Sequence, residues 1–173
     1  MSTILEFISE EKLQLRITEL GKEIRADYGD EEIILICILK GAIIFCSDLL
    51  RAIGGKTQLE FISASSYGDS TETSGKVDIS YKLSQSLKDK NVLIIEDIVD
   101  TGLTLSKVLE KMALEEKPKS MKLASLLSKP SRRKIEVEID YLGFEIEDNF
   151  VIGYGLDLAQ NYRELPYIGL MNG

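Results

Sequence analysis

A chain of 173 residues, 44% hydrophobic and 29% charged, is long enough to bury a sizeable core and reads as one domain spanning 1–173. Its formal net charge of −8 disfavours nucleic-acid binding, which depends on basic patches and counterion release. The lack of any histidine removes hydrolase mechanisms built on that side chain, along with the usual zinc sites.

In chain order, the first stretch, MSTILEFISEEK, has no basic n-region and no cleavage site. Ser9 is placed to cap a helix whose first turn carries Glu10 and Glu11, with Leu13, Ile17, Leu20 and Ile24 following at helical spacing. Gly29-Asp30 ends it. Ile33–Leu39 reads as a parallel strand buried on both faces, and this longest apolar run is far too short to cross a bilayer. A cytoplasmic protein is therefore expected. Lys40-Gly41 breaks into a second helix, Ala42–Ile53, stopped by Gly54-Gly55. Cys37 and Cys46 sit in apolar contexts and read as reduced core residues.

Leu59–Ala64 is a third core segment with the character of a strand. The small polar run Ser65–Gly75 offers no packing face and suggests a mobile lid, and Val77, Ile79 and Tyr81 then alternate as in a half-exposed strand. Farther on, Met121–Leu127 is another apolar strand ending at Ser128-Lys129-Pro130. Ile135, Val137 and Ile139 alternate with acids, and Tyr141–Ile146 and Phe150–Ile152 add short extended pieces. Strands alternating with helices imply a parallel α/β sheet with right-handed crossovers. Ligands of such sheets bind beyond the carboxyl ends of the strands, where Lys40-Gly41, Glu96–Thr104, Lys129 and the Phe150–Asp157 region all fall.

The stretch Asn91–Ser106, NVLIIEDIVDTGLTLS, concentrates the chemistry. Apolar Val92–Ile95 ends in Glu96-Asp97, followed by Asp100-Thr101-Gly102-Leu103-Thr104 and a helix with Leu105, Val108, Leu109 and Met112 on its core face. Strand, glycine turn and helix start together place backbone N–H groups and two threonine hydroxyls at a positive helix N-terminus, an anion site suited to phosphate. Carboxylates beside a phosphate call for an intervening divalent cation or sugar hydroxyls. The pattern therefore reads as a cradle for a phosphorylated sugar, with one acid to spare for proton transfer.

The string E-D-x-x-D-T-G-x-T resembles the phosphoribosyl-pyrophosphate loop of the type I phosphoribosyltransferases. Leu39-Lys40-Gly41, Ser66-Tyr67, Ser125–Lys129, Gly143–Ile146, Asn149–Tyr154, Leu156-Asp157 and Tyr162-Arg163 extend the resemblance to the hypoxanthine-guanine enzymes, from Leu39 to Arg163. It implies an α/β parallel-sheet fold with a small hood, built from the N-terminal and C-terminal segments, and a flexible lid loop. It further implies transfer of a phosphoribosyl group to hypoxanthine or guanine, with magnesium as cofactor and a homodimer or homotetramer as the assembly.

Residue by residue, the resemblance assigns the 5-phosphate to Thr101, Gly102, Leu103 and Thr104, and the ribose hydroxyls and magnesium to Glu96 and Asp97. As strand neighbours these two acids are expected to point in different directions. Asp100 becomes the general base, with a helix cap as its structural alternative. Lys129, which only donates, reads a 6-oxo group and rejects a 6-amino group. Phe150 stacks on the purine, Val151 contacts its edge, and Asp157 lies near the base and adds a second magnesium contact. Lys40, Gly41 and Arg163 hold pyrophosphate, and relatives carry a cis bond at the position of Leu39-Lys40. Leu103 departs from relatives with lysine there, leaving only its backbone for phosphate. A xanthine-preferring enzyme would differ around Lys129 and Phe150–Asp157. A regulatory nucleotide or RNA binder would be at odds with the acidic balance and the intact Asp100.

Overall fold

The computed structural model describes residues 3–63 and 81–172. The expected lid at Ser65–Gly75, the pair Ser66-Tyr67, and Val77 and Ile79 lie outside those residues. Among the described residues no helix is long and apolar enough to cross a membrane.

The chain runs β1 (Thr3–Ile8), α1 (Glu10–Tyr28), β2 (Ile33–Leu39), α2 (Ile43–Ile53), β3 (Thr57–Ser63) and β4 (Asn91–Val99). It continues with α3 (Leu103–Glu116), β5 (Ser120–Ser128), a 3-10 turn (Pro130–Arg132), β6 (Tyr141–Glu145), β7 (Val151–Ile152) and β8 (Ile168–Asn172). Five strands form a parallel sheet in the order β3-β2-β4-β5-β6. The expected α/β parallel-sheet class is what is observed.

Alternation along the strands divides the core. On β2, Ile33, Leu35 and Cys37 pack with Leu13, Ile17, Phe45 and Leu49 from α1 and α2, whereas Ile34, Ile36 and Ile38 join Leu105, Val108 and Met112 of α3 on the other face. β4 repeats the division, with Leu93 and Ile95 on one side and Val92 and Ile94 on the other. A central strand buried on both faces must be apolar throughout, and β2 is. Both cysteines are free and buried.

Ser9 caps α1 by accepting from the Lys12 amide at 3.3 Å, and the Gly29 amide closes its far end on the Arg25 carbonyl at 2.8 Å. The smaller antiparallel sheet β1-β8-β7 pairs the two ends of the chain, the segments from which the resemblance implied a hood, although no local pattern marks β1 or β8 as strands. Its strands are short and only partly apolar, and their partners are far apart in sequence.

The expected extended segment around Ile135–Ile139 does not form a strand. Val137 is buried against the α3 cluster and Ile139 packs on it, while Ile135 stays exposed. Pairing with β5 starts only where Tyr141 meets Ala124. Before that point the backbone is tied at its ends, by the Lys134 and Ile135 amides on the Thr101 carbonyl at 2.9 and 3.1 Å and the Asp140 amide on the Leu123 carbonyl at 3.0 Å.

Candidate active site

The residues expected to do chemistry lie at the carboxyl ends of β2, β4 and β5, beside and on β7 (Phe150, Val151) and on the loop after it (Asp157, Arg163), although Lys40, Leu103 and Arg163 border neither of the cavities there. Two neighbouring cavities share Ile98 and Asp100. One, of about 290 Å³, is bounded by Gly41, Glu96, Asp97, Asp100, Thr101 and Thr104. The other, of about 480 Å³, is bounded by Lys129, Arg132, Asp148, Phe150, Val151 and Asp157 as well as Asp100. Asp100 thus stands between a polar cradle at a helix start and a pocket with one exposed aromatic wall.

The cradle follows from the local backbone. Gly102 precedes α3 at φ +79, and a Cβ there would overlap the Ile135 carbonyl, so glycine is required on both counts. α3 begins without a side-chain cap and without acids in its first turn, which leaves its leading amides directed outward. The Thr101 hydroxyl reaches the Leu103 amide only at 3.4 Å. Leu103 is exposed, consistent with a backbone role alone.

Opposite the cradle, the Leu39-Lys40 bond is cis. Gly41 lies so close to Asp97 that an added Cβ would overlap its carboxylate. Glu96 and Asp97 occupy the end of β4 itself rather than a loop beyond it. Both border the same cavity. The Asp97 carboxylate accepts from the Ile98 amide at 2.7 Å, and that of Glu96 from the Asp97 amide at 3.0 Å. Burial, with the neighbouring Asp97 charge second, pushes the Glu96 carboxyl well above its ordinary range.

In the larger cavity, Lys129 has only 8% of its surface exposed, unusual for a lysine, and its ammonium lies 3.7 Å from Asp148. Phe150 is 55% exposed, so core packing does not explain it. Val151 is buried on β7. Asp157 pairs with Arg163 at 2.9 Å and accepts from the Gln160 amide at 2.8 Å. Glu96, Asp97 and Asp157 are not gathered into one cluster, and among the described residues no group of three ligating side chains is preassembled for a metal.

Residues the sequence reading overlooked complete the picture. Gln160 Oε1 accepts from Lys40 at 3.3 Å and from Arg163 at 3.2 Å, joining the two cations expected to hold pyrophosphate. Arg133 donates to the backbone carbonyls of Asp100 and Val99 at 3.0 and 3.3 Å, bracing the central loop from just beyond the 3-10 turn. Arg132 reaches the Asp100 carboxylate at 2.6 Å. Two arginines just beyond Lys129, in a chain whose main loop is acidic, were the available signal for the last two.

The model of the phosphoribosyl transferase domain family matches residues 6–159. The chain is 47% identical over 164 residues to a hypoxanthine-guanine phosphoribosyltransferase of Bacillus subtilis, covering 95% of this chain and 91% of that one. It is 44% identical over 169 residues to a hypoxanthine phosphoribosyltransferase of Escherichia coli, covering 96% and 94%. A crystal structure of a hypoxanthine-guanine phosphoribosyltransferase from Bacillus anthracis superposes with a TM-score of 0.89 at 42% identity over 100% of both chains. One of a hypoxanthine phosphoribosyltransferase from Staphylococcus aureus gives 0.90 at 41% identity, covering 97% and 91%. With its fold, its central loop and these relatives in agreement, the chain belongs to the phosphoribosyltransferase family, among the hypoxanthine and hypoxanthine-guanine phosphoribosyltransferases.

Proposed function

We propose that this enzyme, acting as a single domain, salvages purines by transferring the 5-phosphoribosyl group of phosphoribosyl pyrophosphate to hypoxanthine or guanine, giving IMP or GMP and pyrophosphate. The observation that carries the reading is the position of Asp100, between an uncapped helix start suited to a phosphate and a pocket walled by Lys129 and Phe150.

The amides of Gly102, Leu103 and Thr104 and the hydroxyls of Thr101 and Thr104 hold the 5-phosphate. Phe150 stacks on the purine, Val151 lines its edge, and Lys129 donates to the 6-oxo group. The purine's five-membered-ring nitrogen bonds to the anomeric carbon. The bond from that carbon to pyrophosphate breaks, its electron pair leaving with the pyrophosphate, and the nitrogen's proton passes to Asp100. Charge builds on the sugar as in other oxocarbenium-like transfers. Lys40, Arg163 and the Gly41 backbone hold the leaving group.

Magnesium fits the donors present. Glu96, Asp97 and Asp157 offer hard oxygen ligands, and a site without a preassembled cage suits an ion that keeps waters and substrate phosphates. When bound, magnesium neutralises part of the pyrophosphate charge. A cytoplasmic setting agrees with the two free cysteines. The exposed apolar side chains of Ile43 on α2 and of Leu59 and Phe61 on the edge strand β3 support a homodimer or homotetramer.

The test is turnover of hypoxanthine, guanine, xanthine and adenine with magnesium and phosphoribosyl pyrophosphate. Hypoxanthine or guanine should exceed adenine by orders of magnitude. Preference for xanthine would relocate the specificity, and no turnover of any purine would overturn the proposal.

A further inference from the structure

We infer that Arg132 is a positioning residue for Asp100, the middle link of a charged relay that runs from Lys129 through Asp148 and Arg132 to the proton-accepting carboxylate. The inference rests on the role proposed above for Asp100.

Arg132 Nε donates to Asp100 Oδ1 at 2.6 Å, while its Nη1 donates to Asp148 Oδ1 and Oδ2 at 3.4 and 3.3 Å. Asp148 also lies 3.7 Å from the Lys129 ammonium. All four side chains border the cavity that Phe150 walls. Positive and negative charges therefore alternate along the pocket, and the group reading the purine and the group taking its proton are tied to one anion.

The backbone holds this arrangement. Arg132 ends the short turn that starts after Lys129, closed by the Arg132 amide on the Lys129 carbonyl at 3.1 Å. A guanidinium is planar and donates in a fixed fork, so an anchor at Asp148 sets the direction in which Nε meets Asp100. Among the described residues Arg132 engages Oδ1, and Oδ2 is the oxygen this arrangement offers to the purine nitrogen's proton. Exposed ion pairs contribute little to stability, and Arg132, Asp100 and Asp148 are each 40–50% exposed at the side chain. Orientation of Asp100 is what the bridge supplies. A lysine at 132 would keep the charge but lose the fork.

The experiment is steady-state kinetics of the full enzyme with hypoxanthine and phosphoribosyl pyrophosphate, for Arg132→Gln, Arg132→Lys, Asp100→Asn and the Asp100→Asn/Arg132→Gln double variant, each with a melting curve. Arg132→Gln should lower kcat by roughly tenfold to a hundredfold, within the scale of general-base effects, and leave the KM for phosphoribosyl pyrophosphate within about twofold. Arg132→Lys should recover only part of that loss. Added to Asp100→Asn, Arg132→Gln should cost nothing more, because the arginine acts through the aspartate. Wild-type kcat in Arg132→Gln, or the same fractional loss with and without Asp100, would overturn the relay alone. Full turnover by Asp100→Asn would instead overturn the role proposed for Asp100, and the relay with it.

Discussion

At position 129, a largely buried lysine donates hydrogen bonds and accepts none, so it suits a 6-oxo group and leaves a 6-amino group unsatisfied. Lys129→Ala should therefore narrow the gap between hypoxanthine and adenine far more than it raises the KM for phosphoribosyl pyrophosphate; competition assays with both bases would measure this, and equal losses would mean general damage. Asp100→Ala should lower kcat by about 10²–10⁴ while largely sparing ground-state binding, read from single-turnover and equilibrium binding experiments. Gly41 gives a purely steric prediction. A methyl there overlaps the Asp97 carboxylate, so Gly41→Ala must displace the loop or the acid. A displacement of about 1 Å costs on the order of a hundredfold in kcat/KM, while the melting temperature should barely change because the site lies outside the core.

Among the elements, β3 shows how polar groups tie the sheet edge to the chain that returns to β4. Glu60 is buried on β3 and accepts from the Ser84 hydroxyl, the Ser84 amide at 3.1 Å and Gln85 at 3.3 Å. These bonds, that of the Ser84 side chain foremost, hold its carboxyl below the ordinary value of 4.5. A carboxyl lowered on folding adds stability that is complete above its unfolded pKa and is lost as pH falls through the folded one. Glu60→Gln should therefore melt below the wild type at pH 7, and the difference should shrink as pH drops below about 4.5. A constant difference would remove ionisation from the explanation.

What the sequence disclosed about the elements divides along the same physical line. α1, α2 and α3 were legible from their helical period, α1 also from its Ser9 cap, and β2 and β5 from continuous apolar runs. β1 and β8 were not, since their pairing joins Thr3–Ile8 to Ile168–Asn172 and nothing local encodes a partner that remote. The central loop was legible residue by residue. Arg132, Arg133 and Gln160 act through contacts across the fold, and such contacts leave no mark in spacing.

For the whole molecule, the parallel sheet acts as a platform whose carboxyl edge carries the cavity at the start of α3, while the β1-β8-β7 sheet joins the chain ends. The bond from the Tyr154 hydroxyl to Asp48 ties the segment after β7 to α2, which packs on that platform, while Arg163, donating to the Gly155 carbonyl at 2.6 Å, closes the segment on itself. At this scale the account reduces to one placement, that of the 5-phosphate at the start of α3 with the sugar's reacting carbon turned toward Asp100. A crystal structure of the enzyme with GMP measures it directly. The account predicts the phosphate on the amides of Gly102 to Thr104 and the base between Phe150 and Lys129. A nucleotide bound elsewhere with this cradle empty would contradict it.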